Sequence, residues 1–159
     1  MPNITRREIR DSAMKLLFET TMRDDPIDSL YAIAEEIEEI TVNDAVRTLV
    51  DGTLAHQDEL DELIQKYSPK RSIKRIPKLT LSILRLAMFE IRYDEKTPTN
   101  AAISEAILLA ENYSYYEEDV RFINGLLGAY SETLKSRRRQ NHEAARNRHQ
   151  QLHNILCVV

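Results

Sequence analysis

A chain of 159 residues, 42% hydrophobic and 30% charged with a formal net charge of −4, has the size of one ordinary domain and can bury about 70% of its unfolded surface. These proportions exclude disordered and fibrous classes, and three Gly, five Pro and no Trp argue against the many tight turns of a sandwich or barrel. A single cysteine, Cys157, excludes an internal disulfide, there is no apolar run of about 18 residues, and Met1 to Arg7 lacks the apolar stretch of a secretory signal, so the expected location is the cytoplasm, with no membrane partner.

Thr5-Arg6-Arg7-Glu8 reads as a capping box, and Ile9, Ala13, Leu16 and Leu17 continue at helical spacing to about Thr21. Asp24-Asp25-Pro26 interrupts the pattern, which Leu30, Ile33, Ala34, Ile37 and Ile40 resume as a second helix with its acids outward. A further cap at Thr41 to Asp44 opens a third helix running through Val46, Leu49, Val50, Leu54, Leu60 and Ile64 to about Tyr67, expected to be the longest. Ser68 to Ser72 is a polar break between two helical halves that share one core. Beyond Pro77, the residues Leu81, Leu84, Met88 and Ile91, widened by Ile83 and Ala87, mark an apolar helix. Thr97-Pro98-Thr99 starts another, so rich in Ala, Ile and Leu between Ala102 and Ala110 that it is expected to be central. Tyr113 to Tyr116 form a loop, and Phe122, Ile123, Leu126, Leu127, Tyr130 and Leu134 define a last helix whose Gly125 and Gly128 suggest close packing. No alternation of period two is long enough for a strand. The expected fold class is all-α, a compact helical domain of about six or seven helices over residues 1–135, with subdomains near 1–67 and 73–135. Residues 136–159 form a basic extension, expected to be a frayed helix or disordered.

Catalytic and metal signatures do not survive inspection, and no cofactor is expected. His142-Glu143-Ala144-Ala145-Arg146 begins like a zinc-protease helix, but the second histidine it needs is Arg146. His149 and His153 stand one turn apart without a third ligand nearby, and no Gly-rich loop exists to cradle a phosphate.

Charge, by contrast, is unevenly spread. From Asp24 to Glu62 Arg47 is the only Lys or Arg, whereas from Leu63 to Phe89 there is no carboxylate and the cations include Lys66, Lys74, Lys78 and Arg85. Arg6, Arg7 and Arg10 occupy the first turns of a helix, where the macrodipole disfavours cations and favours anions. Guanidiniums beside free first-turn amides suit phosphate, although a solvated face or pairing with acids from another helix fits the same residues. Arg121 beside Phe122, following a Tyr-rich loop, suits a stacked base with its phosphate, or a simple core aromatic. Lys74 and Lys78 are candidates for further phosphate contacts.

The chain resembles the NusB family. The resemblance is carried by Thr5-Arg6-Arg7-Glu8-Ile9-Arg10-Asp11-Ser12-Ala13 with Leu16-Leu17-Phe18-Glu19, and by Ser82-Ile83-Leu84-Arg85-Leu86-Ala87-Met88-Phe89-Glu90-Ile91. Further on it rests on Pro98, Ala102-Ile103-Ser104-Glu105-Ala106, Leu109-Ala110-Glu111 and Arg121-Phe122-Ile123-Asn124-Gly125-Leu126-Leu127. It implies a fold of two small helical bundles without catalytic activity. It also implies binding of the boxA element of nascent ribosomal RNA transcripts with NusE, a small-subunit ribosomal protein, within the antitermination complex on RNA polymerase. By motif, the RNA-facing residues are Arg6, Arg7 and Arg10, then Arg121 and Phe122 with Glu118 and Asp119 nearby. Self-association as a homodimer stays open. The alternatives are a helical protein scaffold without specific RNA binding, and a stand-alone relative of the NusB-like domains fused to RNA cytosine methyltransferases.

Overall fold

In the computed structural model, which describes residues 3–158, seven α-helices and one 3-10 turn account for the regular structure. They are α1 (Arg6–Met22), α2 (Ile27–Glu35), α3 (Asp44–Ala55), α4 (Gln57–Lys66), the 3-10 turn (Ile73–Arg75), α5 (Lys78–Tyr93), α6 (Thr99–Tyr113) and α7 (Glu117–Val158). The fold is all-α. The described residues divide into two compact units, one up to Leu127 and one from Gly128 on.

Local signals set most boundaries. The capping box at α1 is complete: Thr5 Oγ1 accepts from the Glu8 amide at 3.1 Å and Glu8 Oε2 accepts from the Thr5 amide at 2.8 Å. Asn43 caps α3 by accepting from the Val46 amide at 2.8 Å, and Pro77 and Pro98 stand at the N-caps of α5 and α6. The second helix is shorter than its apolar spacing suggests. It ends at Glu35, and the chain turns on through the bonds Glu36 N–H to Ile33 and Ile37 N–H to Ala34. Glu35, Glu36, Glu38 and Glu39 would crowd negative charge at a helix C-terminus, against the macrodipole.

Residues 44–67 do not form one helix, because the chain breaks at His56 between α3 and α4. Its ring stacks on Tyr93 at 4.2 Å between centroids and lies 5.9 Å from Phe89, so the kink sits where α5 passes. The longest helix is α7, which carries residues 136–158 in the same helical run.

The centre of the unit up to Leu127 is α5, not α6. Every residue from Thr80 to Glu90 is buried, as expected of a helix surrounded on all sides. It packs against α1, α3, α4 and α6, so helices from both sides of the 68–72 break share one core. In α6 only Ala102, Ala106, Leu109 and Ala110 are buried. Closeness between α3 and α5 depends on Gly52, where a Cβ would overlap the Phe89 ring, coming within 2.7 Å of Cε2. That ring is held between His56 and Tyr93, so Gly52→Ala is expected to destabilise the fold by about 1–3 kcal/mol through overpacking, measured by urea melts. Gly125 and Gly128 do not serve close packing, since a Cβ at either meets no atom within 4 Å.

Candidate nucleic-acid interface

The three arginines of α1 occupy three different environments. Arg10 points inward and is buried, with Nε 2.9 Å from both carboxylate oxygens of Glu90 on α5. Arg6, half-exposed, donates from Nη2 to Asp94 Oδ2 and to Thr97 Oγ1, both at 2.9 Å. Arg7, also half-exposed, makes a two-pronged contact with Glu105 of α6, Nε to Oε2 at 3.2 Å and Nη2 to Oε1 at 3.1 Å. A guanidinium has five N–H donors, so Arg6 and Arg7 keep donors toward solvent while a carboxylate fixes each fork. Arg10 is far more enclosed, its side chain 9% exposed. For Arg10 the structure thus shows pairing with an acid from another helix, which the sequence allows beside a phosphate contact.

The helix N-terminus itself offers less than the bare sequence suggests. The Glu8 amide is taken by Thr5, and the Glu8 carboxylate already sits at the positive end of the dipole. Anion binding here rests on the side chains of Arg6 and Arg7. Lys96, exposed beside Asp94, makes no ion pair among the described residues and adds a cation that sequence reasoning did not single out. Together with Arg6 it borders a groove of about 450 Å³ whose floor includes Ile9, Leu49 and Phe89.

The carboxylates respond to these partners in opposite senses. Burial pushes the Glu90 carboxyl above the usual range, outweighing the pull of Arg10. The folded state therefore holds this proton more tightly than the unfolded chain. Taken alone, the group adds stability as pH falls from neutral through its raised value, with no further gain below the ordinary Glu range. For Asp94 burial pushes upward, but its bonds from Thr97, the Lys96 amide and Arg6 prevail and hold it below the ordinary value. Glu105 is likewise lowered, by the hydrogen bonds from Arg7. These two contribute stability above the unfolded carboxylate range, near pH 4, and lose it as pH falls through their depressed values. Arg7→Ala is accordingly expected to move the Glu105 titration upward toward an ordinary Glu, read by NMR of the side-chain carboxyl. A Glu105 titration unchanged in that variant would show that Arg7 does not engage it in solution.

The second predicted patch opens α7. Glu118 and Arg121 are exposed, Asp119 is buried, and Phe122 is half-buried. Three acids in the first turn, Glu117, Glu118 and Asp119, complement the helix dipole. The guanidinium carbon of Arg71 lies 4.9 Å from the Phe122 ring centroid, which puts a cation on the face where a base would stack. Arg71 belongs to the carboxylate-free basic stretch from Leu63 to Phe89, but nothing in the sequence separation of Arg71 and Phe122 announces their contact.

Lys74 is exposed in the 3-10 turn and makes no ion pair among the described residues. Lys78 Nζ donates to the Thr21 carbonyl at 3.0 Å, completing the C-terminal turn of α1. Arg85 is largely buried, bonded through Nε and Nη2 to Asp61 at 2.7 and 2.8 Å. Among the described residues no cluster of three or more His, Cys, Asp or Glu side chains could hold a metal ion, and no helix is long and apolar enough to cross a membrane.

The NusB family profile matches residues 7–132. The transcription antitermination protein NusB of Levilactobacillus brevis is 40% identical over 129 residues, covering 78% of this chain and 90% of that protein. The NusB of Natranaerobius thermophilus is 35% identical over 140 residues, covering 85% of this chain and 100% of that one. Among solved structures, T. maritima NusB superposes with a TM-score of 0.72 at 27% identity over 82% of this chain and 93% of that one. A structure described as the antitermination factors NusB and NusE in complex with dsRNA gives 0.71 at 26% identity over 80% and 96%. The helical architecture is thus one shared with solved NusB structures, and this chain is a member of the NusB family of antitermination factors, which are not enzymes.

Proposed function

We propose that this chain binds the boxA element of nascent ribosomal RNA transcripts together with NusE, and supports the antitermination complex on RNA polymerase in the cytoplasm. The observation that carries this reading is the pair of solvent-facing guanidiniums at the start of α1, each aimed by a carboxylate, in a chain of this family. The described complex of a similar NusB with NusE and RNA supports it. Arg6 and Arg7 grip phosphate oxygens. Arg10 positions α1 through Glu90. Arg121 and Phe122, with Glu118 and Asp119 shaping the surroundings, form a second contact in which a base displaces Arg71 from the aromatic face. Lys74 adds a phosphate contact, and Lys78 holds the end of α1.

The test is binding of a fluorescent boxA RNA and a scrambled control, each with and without NusE, over a salt series. The expected result is a preference for boxA that sharpens with NusE, and a log–log slope of about −0.7 per neutralised phosphate. Equal, salt-insensitive binding to both RNAs would instead favour a protein scaffold.

A further inference from the structure

The helical segment from Gly128 onward differs in charge from everything before it. Six of the chain's 22 Lys and Arg lie there, against two of its 26 Asp and Glu, Glu132 and Glu143, so the segment carries net +4 and the remainder net −8. Every side chain from Lys135 to Cys157 is exposed. At 3.6 residues per turn Arg138, Arg139, His142, Arg146, His149 and His153 fall on one face, a stripe about 22 Å long. Four of them, Arg138, Arg139, His142 and Arg146, border a single shallow depression with Glu143 and Asn147.

This stripe has no stabilising role within its own helix. A helix polar all round is ordinarily held by many pairs of opposite charge one turn apart. Here the described segment contains one ion pair, Lys135 with Glu132 at 3.4 Å, and none of the arginines from Arg137 to Arg148 has a carboxylate partner. Like charges one turn apart cost stability rather than adding it. A second copy of the chain is a poor occupant, because the exposed apolar residues Leu152, Ile155 and Leu156 fill only the last turns and do not sustain a heptad seam. The stripe also lies past the segment matched by the family profile, which ends at residue 132.

We infer that this arm binds the phosphate backbone of single-stranded RNA, without sequence preference, through Arg138, Arg139 and Arg146 flanked by the three histidines. Forked guanidiniums spaced along one face meet successive phosphates, and their counterions are released on contact. The choice of RNA among polyanions rests on the reading of the chain as an RNA-binding factor. The arm then holds transcript of any sequence on either side of the specific element.

The experiment compares the full chain with the triple variant Arg138→Gln, Arg139→Gln, Arg146→Gln in binding to oligouridine by fluorescence anisotropy across a salt series. Gln keeps helix propensity while removing three charges. The log–log salt slope is expected to become shallower by about 2, which is 0.7 for each of three phosphates, with affinity at low salt falling at least about tenfold. Lysine at the same three positions should retain the parental slope. An unchanged slope and affinity in the Gln variant would overturn the inference. So would poly-glutamate competing as well as RNA of equal charge, or a change confined to the oligomeric state. The ratio of boxA to scrambled affinity should stay the same in the variant. Lack of boxA preference alongside an arm-dependent oligouridine slope would sink the boxA reading and leave the arm standing.

Discussion

Arg10→Ala will destabilise the folded chain by about 3–5 kcal/mol while leaving the RNA affinity of the folded protein within a few-fold of the parent. The side chains of Arg10 and Glu90 are 9% and 2% exposed, so removing one partner strands a carboxylate that water cannot reach. Burial already pushes the Glu90 carboxyl upward with Arg10 present, and without it the group must take up a proton or move. A joint replacement, Arg10→Met with Glu90→Leu, should recover most of the loss, since a well-packed apolar pair of similar volume commonly equals a buried ion pair. Urea melts on the single and joint variants give both numbers. If Arg10→Ala instead melts like the parent and loses RNA binding, the guanidinium is a ligand and the buried geometry does not hold in solution.

The same pair marks the boundary between what local sequence reveals and what packing decides. Capping at Thr5 and Asn43 and the N-cap prolines Pro77 and Pro98 are short-range events, each satisfied within about four residues, and their residues announce them. The break at His56 does not announce itself. Val46, Leu49, Thr53, Leu60 and Ile64 keep a helical phase straight through it, and the interruption arises only where the imidazole meets Tyr93 from a helix far along the chain. Likewise α6 is the more uniformly apolar run, yet α5 is central because its few polar groups are matched, Arg85 to Asp61 and Glu90 to Arg10. The signal for Arg10 was present in a weak form. Glu90 stands three residues after Ala87 and seven after Ile83 on the buried face, and a lone acid there requires a cation from elsewhere. Sequence reasoning could find three arginines on one helix. It could not sort them, because the sorting is done by Glu90, Asp94 and Glu105, which lie 80 or more residues away.

That sorting makes the outer pair the place where loss of RNA binding should concentrate. Arg6→Ala with Arg7→Ala is expected to lower affinity for boxA RNA on the order of 10- to 100-fold at moderate salt, the loss of two charge-assisted contacts at partly solvated positions. The log–log salt slope should become shallower by about 1.4, two phosphates at 0.7 each. Folding should be little affected. Both guanidiniums are more than half exposed, and ion pairs of that kind add little to stability. Far-UV circular dichroism and melting temperature should therefore stay near the parental values, the reverse of the pattern expected for Arg10. Charge alone does not account for the expected loss, because the forks are held in place. Glu105→Gln keeps Arg7 charged but weakens its grip on the fork, so a position-dependent site should lose affinity in that variant, whereas a purely electrostatic one should gain. If both variants bind boxA as the parent does, Arg6 and Arg7 serve only to tie α1 to Asp94, Thr97 and α6, and the RNA is held by other residues.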